Sequence, residues 1–277
     1  MMDLGSLELG ILFPAFIAGL LVLSTHVPLG QHVLNRGIVF IDLAIAQVAG
    51  LGVTAASAFG FEAEGWRVQV AAVAAALLGA LLLTWTEKIW PEVQEALIGV
   101  LFVVAACVEL LILANNPHGG EHLKDLLVGQ ILWVSLPNLI PVALLYAAAL
   151  AAWFGMRGRL GQVGFYVLFA LVVTQSVQLV GIYLVFATLI IPALAARRYA
   201  PRLQLAVGYG VGLSGYVLGL VASSVFDLPT GAVIVVALLA VMAVATIVSL
   251  VVPQDVRAQM AKLDPGAAGL VSHPVDP

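Results

Sequence analysis

What this chain has least of is charge. Only 9% of its 277 residues are Asp, Glu, Lys or Arg, whereas a soluble domain carries about 25%. With 62% hydrophobic residues and a mean hydropathy of +1.12, no soluble shape of this size hides its apolar side chains, so the solvent for most of it is lipid. A single cysteine, Cys107, excludes an internal disulfide and a cysteine-cluster metal centre. The net charge of −4 is dispersed, and no basic block exists to bind nucleic acid. No GxxxxGK[ST] phosphate loop occurs, so any ATP hydrolysis belongs to another chain. The N-terminus MMDLGSLELG lacks the basic region of a cleaved signal peptide, and residues 7–27 read as a genuine first span.

What is present is a succession of apolar runs. A crossing helix needs about 20 such residues. The predicted spans are 7–27, 39–60, 68–86, 95–114, 136–156, 163–178, 180–196, 203–225 and 231–252. The sixth and seventh come from one run, 163–196, interrupted at Gln175, Gln178 and Gly181. Lys and Arg gather in cytoplasmic loops. With nine crossings and the N-terminus outside, Arg36, Lys88, Arg157, Arg159, Arg197, Arg198, Arg202, Arg257 and Lys262 fall inside, and only Arg67 and Lys124 outside. The expectation is an all-α polytopic membrane protein of eight or nine transmembrane helices, N-terminus outside and C-terminus cytoplasmic. The sixth and seventh spans then form a tight, partly re-entrant hairpin. The membrane domain covers 1–252, and a partly disordered cytoplasmic tail covers 253–277. Ala72, Ala76 and Ala80 in the third span, and Gly208, Gly212, Gly215 and Gly219 in the eighth, have the spacing of close helix contacts.

Acids inside such runs are costly and point to function. Asp42 is the foremost. It either faces the path of a cation or pairs with a neighbouring helix or with Arg36. Gln47 follows five residues later, about 140° around a helix, so one straight helix does not aim both at one ion. Glu109 lies in VLFVVAACVELLILAN, as a pathway acid or a paired, snorkelling one. Cys107 falls on a different face and reads as a small packed hydrophobe. In the outer loop NNPHGGEHLKD, His118, Glu121 and His122 are either recruiters of a metal from outside or ordinary loop polarity. His26, His32 and His273 read as solvated histidines. Glu87, Lys88, Glu92 and Glu95 read as a solvated inner loop, or as a docking surface for a soluble ATPase.

These residues resemble the manganese/zinc/iron permease family, the membrane subunits of ATP-binding cassette importers for divalent metals. The family pattern is matched by Pro28-Leu29-Gly30, Arg36 and Val39-Phe40-Ile41-Asp42, then by EALIGVLFV (95–103), DLLVGQILWV (125–134), VGIYLVFATLIIPALAA (180–196) and DLPTGAVIVV (227–236). The match runs over about residues 20–250. The chain departs from the pattern where Ala46, with Gln47 beside it, stands in place of a histidine four residues after the acid. A second departure is the short link FGMRGRLGQVG (154–164), where the family has a longer acidic insertion.

The resemblance implies a permease domain that is not an enzyme and holds no permanent cofactor. Its substrate would be a divalent metal ion (zinc, manganese or iron, possibly chelated), with Asp42, Gln47 and Glu109 along the pathway. It implies a prokaryotic inner-membrane location in the lipid bilayer. The implied partners are a second copy of the chain, a cytoplasmic ATP-binding cassette ATPase and an external or periplasmic metal-binding protein. The alternative is an ion- or proton-coupled secondary transporter acting without an ATPase, with Asp42 and Glu109 as its proton-linked acids.

Overall fold

The computed structural model describes residues 9–61, 65–114, 123, 126–156 and 161–251. The outer-loop residues His118, Glu121 and His122, the link residues 157–160 and the tail after residue 251, with His273, lie outside the described residues. The long helices are α1 (Leu9–Arg36), α2 (Ile41–Ala58), α3 (Trp66–Ile89), α4 (Gln94–Leu113), α5 (Leu136–Gly155), α6 (Gly161–Val180), α7 (Ile182–Ala196), α8 (Pro201–Phe226) and α9 (Thr230–Val251). Short 3-10 turns cover Pro91–Val93 and Ile131–Trp133. No strand occurs among the described residues. Lipid offers the backbone no hydrogen bonds, so helices are the economical answer.

Eight of the helices are long and apolar enough to cross a membrane, and α7, with 15 residues, is the shorter ninth. The run 163–196 is therefore two elements. Gly181, at φ +80° and ψ 161°, is a corner that only glycine adopts without strain. The two helices diverge from it. The sixth packs on α3 and the seventh on α1 and α9. Both α6's start and α7's end lie at the end of the bundle that holds Arg36. Tyr166 donates to Glu87, which pairs with Arg36, and Gly30 of α1 touches the Leu189 carbonyl and Ala193.

The first helix runs well beyond the predicted 27, through Pro28 to Arg36. Proline removes the bond to the carbonyl four residues back, here that of Ser24. Tyr209 of α8 donates its hydroxyl to that carbonyl at 2.9 Å, so the break is mended from a neighbouring helix. Gly37, at φ +72°, then ends the helix, with Ile38 N–H donating to the Val33 carbonyl. This lengthening corrects the reading of the first two histidines. His26 is fully buried in α1, with Nδ1 at 2.9 Å from the Val22 carbonyl. His32 meets Trp153 edge-on and lies tilted against Phe165, with ring centroids 5.0 and 4.7 Å apart.

Close approach is concentrated where small residues stand. Gly19, Leu23 and Val27 of α1 face Tyr216, Gly212 and Gly208 of α8, an antiparallel register with a constant index sum. Gly215 and Gly219 face Leu238 and Ile234 of α9 in the same manner. Ala72, Ala76 and Ala80 are buried in α3, with Ala72 against Gly52 of α2. At the end away from Arg36, three motif glycines converge. Gly129 and Gly181 meet backbone to backbone, and Gly231 abuts the Val128 carbonyl.

The charged residues at the Arg36 end are only partly solvated, which corrects the simple loop reading. Arg36 binds Glu87 at 2.6 Å and lies 5.5 Å over the Phe165 ring. Tyr166 donates to the other Glu87 oxygen at 2.5 Å, and Gln94 reaches Tyr166, the Leu83 carbonyl and Thr86. Glu95 accepts from the Phe40 N–H at 3.4 Å, at the start of α2. Lys88 and Glu92 remain exposed. Cys107 does lie on a face other than Glu109's, but it is exposed on the surface of the bundle rather than packed.

A side chain at Gly219 would place its Cβ 2.5 Å from the Ile234 Cα, backbone that cannot swing away. Gly219→Val is expected to destabilise the protein by about 1–3 kcal/mol. Gly210→Ala, with nothing within 4 Å, should stay within about 1 kcal/mol of wild type. Unfolding of the purified variants in detergent checks both.

Candidate functional site

Every polar group placed in α2 must be enclosed by protein or left against lipid, and the helix is enclosed along most of its length by α3, α4 and α6. Three of its positions, Gln47, Gly50 and Thr54, are spaced by three and four residues and so share one stripe. That stripe faces Glu109 of α4. Gln47 Nε2 donates to Glu109 Oε2, and Thr54 Oγ1 donates to Glu109 Oε1 at 2.8 Å. Gly50 leaves room for the carboxylate, since a Cβ there would lie 3.6 Å from Glu109 Oε1. Glu109 is 1% exposed, so its charge is read by these neighbours and not by water.

Asp42 occupies the first turn of the same helix, at the Arg36 end, and is also 1% exposed. Neither carboxylate oxygen has a side-chain partner, and the backbone N–H groups of Asp42 itself and of Leu43 are the polar groups that face it. Arg36, the neighbour that could have neutralised it, is committed to Glu87 instead. The positive end of the α2 dipole is the remaining local compensation. Glu109 meets α2 around residue 50, eight residues from Asp42, so the two acids stand roughly 12 Å apart along the helix axis.

The structure thus brings Gln47 and Glu109 together and leaves Asp42 apart, as the 140° offset predicts for an unbroken helix. Thr54 was missed in the sequence. Its signal was available, because it lies seven residues after Gln47 and so on the same face. Ala46, where the resemblance leads one to look for a histidine, is buried among apolar neighbours. Among the described residues no three His, Cys, Asp or Glu side chains come together to hold a metal ion. Chemically, the arrangement offers oxygen donors at two stations: the Asp42 carboxylate, and the Glu109 carboxylate with the Thr54 hydroxyl and the Gln47 carboxamide. Such hard donors suit hard or borderline cations.

A family model described as the ABC 3 transport family matches residues 8–160 and 142–249. An uncharacterised membrane protein of Synechocystis sp. is 27% identical over 242 residues, which cover 80% of this chain and 84% of that one. The high-affinity zinc uptake system membrane protein ZnuB of Haemophilus influenzae is 25% identical over 253 residues, covering 82% of this chain and 93% of the relative. The solved structure of PsaBC from Streptococcus pneumoniae in complex with Fab superposes with a TM-score of 0.71. It is 21% identical, over 87% of this chain and 92% of that one, a likeness of fold.

The Glu109 cluster generates a stability test. Thr54→Val removes one donor to a buried carboxylate and should cost about 1–2 kcal/mol. Glu109→Leu strands the buried Gln47 amide and should cost more than Glu109→Gln, by about 1–3 kcal/mol. Thermal unfolding of the three variants in one detergent measures the order.

Proposed function

The chain belongs to the ABC 3 transport family, and from that premise we propose that it is the membrane-spanning permease subunit of an ATP-driven importer of divalent metal ions. The observation that carries the proposal is Asp42: a carboxylate without a side-chain partner, buried in a membrane helix at the Arg36 end. Holding such a group against lipid or apolar protein is costly unless a cation or a proton visits it. Glu109, with Thr54 and Gln47, supplies a second station farther along α2.

Sidedness follows from charge. Among the described residues the Arg36 end carries Arg36, Lys88, Arg197, Arg198 and Arg202, and the opposite end only Arg67. That bias supports a cytoplasmic Arg36 end and an external start of α1, and the bacterial relatives support a prokaryotic plasma membrane. A cation coming from outside then meets Glu109 before Asp42. The metal belongs to the zinc, manganese and iron(II) group. The name of the Haemophilus influenzae relative favours zinc, whereas the all-oxygen donor set and the alanine at position 46 favour the harder members.

ATP hydrolysis would sit on a separate cytoplasmic chain docked at the Arg36 end, where Lys88 and Glu92 are exposed. A second copy of the permease and an external metal-binding protein would complete the importer. Alternating access would come from rigid movements of the helices as the ATPases close.

Asp42→Asn keeps the shape and removes the charge. Cells carrying this variant at normal membrane abundance should lose at least about 90% of the metal uptake that depends on the chain, a tenfold effect worth about 1.4 kcal/mol. Uptake is read by elemental mass spectrometry. Wild-type uptake by the variant removes the Asp42 role. Transport by the chain alone in liposomes, without ATPase or ATP, overturns the importer in favour of a secondary carrier.

A further inference from the structure

Beside the outer half of α2 lies a chamber of about 880 Å³ that the two acid stations do not account for. Its polar lining is uniform in chemistry. Gln69 of α3, Gln130 before the second 3-10 turn, Asn138 of α5, and Gln175 and Gln178 of α6 are all carboxamides. Among the described residues the rest of the wall is apolar side chain and glycine, with no carboxylate, imidazole, thiol or cation. The Gln178 amide oxygen is buried and has no protein partner. Leu126 forms part of the wall. On its far side it meets α2 at Gly50, where a Cβ would lie 3.9 Å from Leu126 Cδ1 and 3.6 Å from Glu109 Oε1. Leu126 of the chamber wall and the Glu109 carboxylate thus meet at the same glycine of α2.

Carboxamides are neutral and weak ligands. They cannot repay the dehydration of a divalent ion, which surrenders its inner waters only to charged or strongly donating groups. They are well suited to waters, because each amide both donates and accepts. The volume holds on the order of 25 waters, ample for a cation with its full shell. An anionic group behind a thin apolar wall biases the space toward cations, and at low dielectric that bias reaches several ångströms. Neutral dipoles bind weakly enough to let an ion leave again, as conduction requires.

We infer that this chamber is an outer-sphere site: Gln69, Gln130, Asn138, Gln175 and Gln178 hold a divalent cation through its intact hydration shell, and dehydration begins only past Leu126. The inference rests on the permease reading and extends it by specifying the form in which the ion arrives.

The probe is hexaamminecobalt(III), a complex close in size to a hexaaqua cation whose ligands do not exchange. The full chain is placed in nanodiscs of zwitterionic phosphatidylcholine, and manganese(II) binding is followed by electron paramagnetic resonance. Hexaamminecobalt(III) should bind saturably and displace manganese(II). The double variant Gln175→Leu/Gln178→Leu should weaken the cobalt complex at least tenfold. Gln69→Leu, on a separate helix, should weaken it in the same direction and guards against misfolding of the first variant. Manganese(II) binding of which the cobalt complex displaces no part overturns the inference, as does equal affinity for the complex in wild type and both variants; manganese(II) at the Asp42 and Glu109 stations is the part expected to stay. If uptake in cells still depends on the chain and on Asp42, that failure belongs to the chamber alone. Metal uptake that is unchanged when the chain is deleted defeats the permease reading itself.

Discussion

Removing a carboxylate from water is the constraint around which this bundle is arranged. Three of its acids meet the cost in three different ways. Glu87 is met by an arginine and a tyrosine at the rim. Glu109 is met by an amide and a hydroxyl from one stripe of α2. Asp42 is met by no side chain at all. The first two tie helices together, whereas the third spends stability without returning any. A group of the third kind persists in a protein when something outside the fold needs it.

The second ordering force is close backbone approach. With no hydrophobic drive between helices in lipid, contact must come from fitting surfaces. The paired ladders of α1 on α8 and of α8 on α9 use glycine on one side and Leu, Ile, Val or Tyr on the other. The same logic explains why segments far apart in sequence carry glycines that look unrelated on paper. Gly129, Gly181 and Gly231 come from three different stretches and share one crowded corner, where backbone touches backbone. The amide chamber opens beside it, with Gly129 in its wall.

Much of this was legible in the sequence, and the rest was not for definite reasons. Hydropathy located the nine long helices among the described residues, and the polar interruption at Gln175–Gly181 marked the corner between α6 and α7. Asp42, Gln47 and Glu109 stood out as polar residues in apolar runs, and helical geometry already separated Asp42 from Gln47. The length of α1 was hidden because Pro28 reads as a break, and the bond that repairs it comes from Tyr209, 181 positions away in the chain. The burial of His26 followed from the same error. The amides of the chamber were invisible as a set, because five ordinary polar residues on different elements acquire a common meaning only when folded together.

The shortness of α7 has an electrical corollary. Fifteen residues rise about 22 Å, against a hydrocarbon layer of about 30 Å. The second arm of the α6–α7 hairpin is thus about 8 Å short of that layer, a deficit that a recess at the Gly181 corner, beside the chamber, would absorb. A water-filled recess carries little of the transmembrane voltage, so the drop is concentrated over the thinner protein barrier beneath. An ion that rested against the amides would reach such a depth at almost no cost in potential, and the whole pull of the membrane field would then act on the short remaining distance.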